Sequence, residues 1–119
     1  MVSLCGYSDR MEPRVKVWLE QDGKLVLSDY RVRLLRVIDE TGSLSDAAQA
    51  MGLSYRRAWG KVKEIEHNLG VKLLESAAGG PGGGGSRLTP DARRLVDQYE
   101  RFRQAAETDL AQDFQRSFG

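Results

Sequence analysis

The sequence holds one cysteine and one histidine. Cys5 has no second thiol to pair with, and Cys5 with His67 cannot furnish a metal-ligand cluster, so neither a disulfide nor a structural zinc is expected. Nothing basic lies beside Cys5 in the sequence to lower its pKa, and it is given no role. Apolar runs are short as well. None approaches the roughly 18 residues of a membrane-spanning helix, and residues 1–13 lack the apolar stretch of a secretory signal. A cytoplasmic protein with no membrane partner is the expectation. Net charge is nearly absent, +1 from 18 basic and 17 acidic residues, which by itself says nothing about nucleic acid, because phosphate affinity depends on where the cations sit. Catalytic signatures are missing too. The glycine-rich stretch is not followed by the Lys-Ser/Thr of a phosphate-binding loop, and His67 stands among Glu64, Glu66 and Asn68 on the polar side of a predicted helix. No enzyme activity, metal or cofactor is expected.

What is present is an ordinary globular composition, 40% apolar and 29% charged over 119 residues, enough for one compact domain with an added helix or tail. The charge is unevenly placed. Arg56, Arg57, Lys61 and Lys63 cluster without an acid between residues 53 and 63, whereas Asp97, Glu100, Glu107, Asp109 and Asp113 make the last part more acidic.

Hydrophobic periodicity predicts a mainly α chain with a small β component. Residues 14–27 alternate Val15, Val17 and Leu19 against Lys16, Trp18 and Glu20, then turn at Asp22-Gly23, which reads as a β-hairpin. Ser28 caps a helix over 29–41, with Leu34, Leu35 and Ile38 as its apolar stripe and Gly42 as its stop. A short second helix follows, with Ser45 as cap candidate, Ala47, Ala48 and Met51 facing inward, and Gly52 in a tight turn. Ser54 caps a third helix reaching about Asn68, with Tyr55, Ala58, Val62, Ile65 and Leu69 at helical spacing. Residues 71–75 read as a strand, Arg87-Leu88 as its return, and Thr89-Pro90 as the start of a long helix. The division expected is a flexible N-terminus (1–13), a winged helix-turn-helix domain with its N-terminal hairpin (14–89) and a C-terminal dimerisation helix (90–119).

Two helices joined by a glycine turn, the second capped by a hydroxyl and basic on its outer face, describe a helix-turn-helix whose second helix enters the major groove of double-stranded DNA. Arg56 and Arg57 are the first candidates for base or phosphate contact, since a guanidinium fork matches guanine. Lys61 and Lys63 fit phosphate better. Gly60, costing about 1 kcal/mol in mid-helix, marks a close backbone approach. Lys72 and Arg87 flank the predicted wing, and Arg87 joins the DNA-binding set. Trp59, one step from the apolar stripe, is expected to lie over the core rather than on DNA. Along the last helix Leu95, Tyr99, Phe102, Ala106 and Leu110 stay on one side for more than four turns, longer than so small a domain can cover, and are the expected homodimer interface.

From Lys24 to about Leu110 the chain resembles the N-terminal DNA-binding domain of the ModE family of molybdate-responsive regulators, a winged helix related to that of LysR-type regulators. The residues that carry the resemblance are Thr41-Gly42-Ser43-Leu44-Ser45, Ala47, Gly52-Leu53-Ser54-Tyr55, Ala58-Trp59, the run from Gly79-Gly80-Pro81 to Gly85, and Leu88-Thr89. It implies a transcription regulator that binds a palindromic operator as a homodimer, with recognition helices in successive major grooves and wings near the backbone. It also adds Ser43, Ser45, Ser54, Tyr55, Gly82 and Gly83 to the DNA-binding set. Pro81 stands where a basic residue is expected in the glycine loop, so a wing-tip phosphate contact is not carried over. Nor is molybdate binding, which in that family belongs to further C-terminal domains. The alternative in a different class is a protein-interaction module that uses the same fold without DNA.

Overall fold

The computed structural model describes residues 10–77 and 85–119. Two compact units emerge: Trp18–Tyr99, and the segment up to Val17 with Glu100–Gly119.

The larger unit opens with an antiparallel hairpin of β1 (Trp18–Gln21) and β2 (Lys24–Ser28). Asp22 and Gly23 both take positive φ, 53° and 77°, the geometry that a two-residue turn between twisted strands requires. The pairing slips between Leu19 and Glu20, leaving Val26 without an opposite residue. That bulge lets consecutive Val26 and Leu27 both enter the core. The strand expected from residue 14 begins only at Trp18, because Trp18 already faces Ser28 and β2 offers nothing beyond it.

Ser28 ends β2 by capping α1 (Asp29–Thr41), its Oγ accepting from the Arg31 amide, and Gly42 closes the helix at φ 80°. Val32, Leu34, Leu35 and Ile38 are buried, and so is Arg31, whose guanidinium reaches the Leu25 carbonyl at 3.4 Å and Glu64 at 3.2 Å. Helix α2 (Leu44–Ala50) is capped by Ser43, whose Oγ accepts from the Asp46 amide. Ser45, expected as the cap, lies inside the first turn. A cap there would begin the helix after Leu44, and Leu44 is a buried residue of the helix itself. Ala47 and Ala48 are almost wholly buried, and the Leu53 amide returns to the Ala48 carbonyl at 2.8 Å, tightening the turn at Gly52.

Helix α3 (Tyr55–Leu69) follows from its Ser54 cap, and Ala58, Val62 and Ile65 bury its inner face. The chain then forms the wing, β3 (Leu74–Ala77) paired antiparallel with β4 (Gly85–Leu88). The strand starts three residues later than residues 71–75 suggest, because side chains have taken over the backbone groups ahead of it. Glu66 accepts the Leu73 amide at 2.8 Å, and the Thr89 hydroxyl donates to the Lys72 carbonyl at 2.7 Å. On the other strand Asp39 accepts the Leu88 amide at 3.2 Å, and the Ser86 amide donates to the Gly42 carbonyl at 2.8 Å. The wing is thus fastened to α1, to α3 and to the turn after α1.

Helix α4 (Pro90–Phe118) is opened by Thr89, whose Oγ1 also accepts from the Ala92 amide at 3.1 Å. Up to Tyr99 it belongs to the larger unit, which buries Ala92, Val96 and Tyr99. Tyr99, expected on a dimer seam, is a core residue. It is 2% exposed, and its hydroxyl donates to Asp29 at 2.6 Å. In the smaller unit Phe102 is 49% exposed, Ala106 and Leu110 are half-buried, and Leu110 with Glu107 and Ala111 lines a cleft shared with Pro13, Arg14 and Val15.

Candidate nucleic-acid interface

At 100° per residue, a helix that buries Ala58, Val62 and Ile65 must turn Arg56, Gly60, Lys63 and His67 directly away from the core. All four are exposed. This outward stripe carries Arg56, Lys63 and an imidazole around one glycine, and no acid. The guanidinium groups of Arg56 and Arg57 make no ion pair among the described residues. The Lys63 ammonium sits 3.1 Å from Glu66 and 5.5 Å from the centroid of the Trp59 ring. Lys61 lies on the flank toward α1, half-buried, with its ammonium 5.3 Å from the Tyr30 ring.

The other predicted contacts spread over several elements. Ser54 and Ser43 each spend an oxygen lone pair on a helix cap, toward the Arg57 and Asp46 amides, and keep a hydroxyl proton to donate. Ser45 is exposed on α2, and Arg87 is exposed on β4 with its Nε donating to Glu75 across the wing at 2.9 Å. Gly82 and Gly83 lie outside the described residues. Tyr55, read as part of the apolar stripe, is 56% exposed. As the first residue of the helix it precedes the turn on which the core closes. Trp59, expected over the core, is 47% exposed. One residue beyond Ala58 is a rotation of 100°, enough to carry the ring clear.

Sequence reasoning missed the residues that set the wing's position. Glu66 and Asp39 look like solvated acids on helix surfaces, and only their backbone partners reveal the role. Burial raises the pKa of each, but the stronger sum of favourable partners holds both below the usual carboxylate range. For Glu66 these partners are the Leu73 amide, the Lys63 ammonium and the Leu74 amide; for Asp39 they are the Leu88 amide, Arg93 and Arg36. A carboxylate with a lowered folded-state pKa stabilises the fold above its unfolded value, and that contribution vanishes as pH falls through the folded one. Thermal stability is therefore expected to lose nothing through these groups between pH 7 and 5 and to fall below about pH 4, the ordinary carboxylate range. In the double variant Asp39→Asn, Glu66→Gln, melting followed by circular dichroism should show a lower plateau and a shallower acid limb. An acid limb of wild-type steepness would remove these two groups as its cause.

Gly60 can be tested apart from its neighbours. No atom lies within 4 Å of where a Cβ would stand, so nothing inside the protein requires glycine there. Gly60→Ala is expected to raise stability by about 0.5–1 kcal/mol through helix propensity while weakening any partner that approaches the backbone. Higher melting with unchanged duplex affinity would exclude such an approach.

Residues 30–93, more than half of the chain, match the bacterial regulatory helix-turn-helix protein family of lysR type. The chain belongs to that family. Among curated relatives, it is 36% identical over 90 residues to the DNA-binding transcriptional dual regulator ModE of Escherichia coli strain K12, covering 76% of this chain and 34% of that protein. It is 41% identical over 83 residues to the molybdenum-pterin-binding protein MopB of Rhodobacter capsulatus, covering 70% and 30%. The chain thus spans about a third of the length of these relatives. Solved structures of the same fold include the CbnR_DBD–DNA complex, with TM-score 0.55 and 21% identity over 76% of this chain and 97% of that one. Vibrio fischeri DarR in complex with DNA gives TM-score 0.55 at 15% identity over 78% of this chain and 31% of that one. The winged helix-turn-helix fold expected from the sequence is the fold of this lysR-type chain. Among the described residues no group of His, Cys, Asp or Glu could hold a metal ion, and no helix is long and apolar enough to cross a membrane.

Proposed function

We propose that this chain acts as a non-enzymatic cytoplasmic transcription regulator that binds a palindromic DNA operator sequence-specifically as a homodimer, with α3 in the major groove. The observation that carries the reading is the outward stripe of α3: Arg56, Gly60, Lys63 and His67, exposed, free of acid, and held at a fixed angle by the buried Ala58, Val62 and Ile65. A helix stabilised by its inner face alone can lower its outer face into a groove without unfolding anything. Arg56 and Arg57 read bases, Lys61 and Lys63 meet phosphate, Gly60 admits the DNA backbone, and the hydroxyls of Ser43, Ser45, Ser54 and Tyr55 add contacts around them. Arg87, with Gly82 and Gly83 in the loop, lies on the wing side. Phe102, Ala106 and Leu110, with the half-buried Leu95, form the dimer seam. The names of the ModE relatives and the DNA complexes of the fold neighbours support the same reading. The molybdenum chemistry in the relatives' names is not proposed for these residues.

Selection of bound duplexes from a random pool tests it. The expected product is an inverted repeat with half-sites about 34–36 Å apart, bound with an affinity that falls with salt by about 0.9 log units per phosphate contacted per log unit of salt. Within the selected site, Arg56→Ala should flatten the preference at one base position by roughly 1–3 kcal/mol, measured by competition among single-base variants. Failure to enrich any sequence, together with no salt dependence, would favour a protein partner instead.

A further inference from the structure

Trp59 is the largest side chain on α3, and nearly half of it is in water. Seven residues separate it from Glu66, two turns of helix, so both lie on the flank where Glu66 takes the Leu73 amide. Tyr55, one turn earlier and more than half exposed, shares that flank. An aromatic edge therefore runs beside the basic stripe of Arg56 and Lys63. The Lys63 ammonium, itself tied to Glu66, stands over the Trp59 ring, and the indole N–H has no acceptor among the described residues. A large ring left in water next to cations points to an apolar group on a polyanionic partner.

In a duplex the faces of the bases are stacked and closed to such a ring, and the apolar substituent that projects into the major groove is the C5-methyl of thymine. We propose that Trp59 reads sequence by packing its ring against a thymine methyl at the edge of the major-groove site. This inference rests on the DNA-binding reading above and adds a specificity residue that acts without a base-edge hydrogen bond.

The probe is the duplex selected from the random pool by the wild-type chain, with its thymines replaced one at a time by deoxyuracil, which removes the methyl and leaves pairing intact. Wild type is expected to lose about fourfold in affinity at one or two positions, the weight of one buried methyl group. Trp59→Ala should bind the unmodified duplex more weakly, lose nothing further at those positions and keep the wild-type salt slope. Trp59→Leu, which retains apolar bulk, should recover part of the sensitivity. A wild type indifferent to every replacement, or a Trp59→Ala variant as sensitive as wild type at each, overturns the proposal while leaving DNA binding standing. Absence of duplex binding by the wild type overturns both.

Discussion

Replacing Phe102 and Leu110 together by aspartate is expected to yield single chains by sedimentation and to weaken operator binding roughly a hundredfold to ten-thousandfold. Phe102 is 49% exposed on a helix that has already given Ala92, Val96 and Tyr99 to its own core, and Leu110 recurs on the same side just over two turns later. An aromatic ring so far in water is the kind of surface that a twin subunit covers, and a two-fold pair is the simplest closed assembly. Binding would suffer far more than contact loss accounts for, because two linked half-site contacts gain from effective concentration and a monomer forfeits that gain. Leu110 also lines the cleft with Pro13, Arg14 and Val15, which offers a second route to covering this part of the helix. The two routes separate cleanly. If the segment at 13–15 is the sole cover, the variant keeps the wild-type mass and duplex affinity, and the proposed seam is wrong.

Thr89→Val should cost about 2–4 kcal/mol of unfolding free energy, measured by denaturant titration. The residue is buried, 9% exposed, and one hydroxyl serves two elements. It accepts from the Ala92 amide to cap α4 and donates to the Lys72 carbonyl ahead of β3. Valine has the same shape and neither function. Loss of an N-cap costs about 1 kcal/mol, and a buried backbone group left without a partner costs about 1–3. Thr89→Ser keeps the hydroxyl and should stay within about 1 kcal/mol of wild type. A valine variant as stable as the serine one would show that water or a relaxed backbone replaces both bonds.

How far the sequence could be read depended on whether a residue's role was local. The bounds of α1 follow from Ser28 and Gly42, each acting on backbone within three or four residues, and both ends fall where the sequence places them. Ser43 and Ser45 are both plausible caps by type, and the choice was made by the burial of Leu44, a tertiary fact. The wing's first strand was misplaced for the same reason, since a carboxylate seven residues upstream takes the amide of Leu73. On α4 the periodicity at Leu95, Tyr99 and Phe102 was legible, but the stripe the core selects is Ala92, Val96 and Tyr99, one step around the helix. At α3 the basic outer face was evident from Arg56 to Lys63. The aromatic edge was not, because tryptophan beside an apolar stripe is ordinarily buried, and only the rotation of the helix shows Trp59 outside.

Both indoles of the chain are half in water, Trp18 at 50% exposure and Trp59 at 47%. Indole emission shifts to longer wavelength in water, so the native protein should already emit at longer wavelength than one whose indoles are buried. A denaturation curve followed by tryptophan emission would then show a smaller shift than buried indoles give while the helices melt. Helical ellipticity is the signal that tracks folding here, which leaves the two indoles as reporters of whatever comes to cover them.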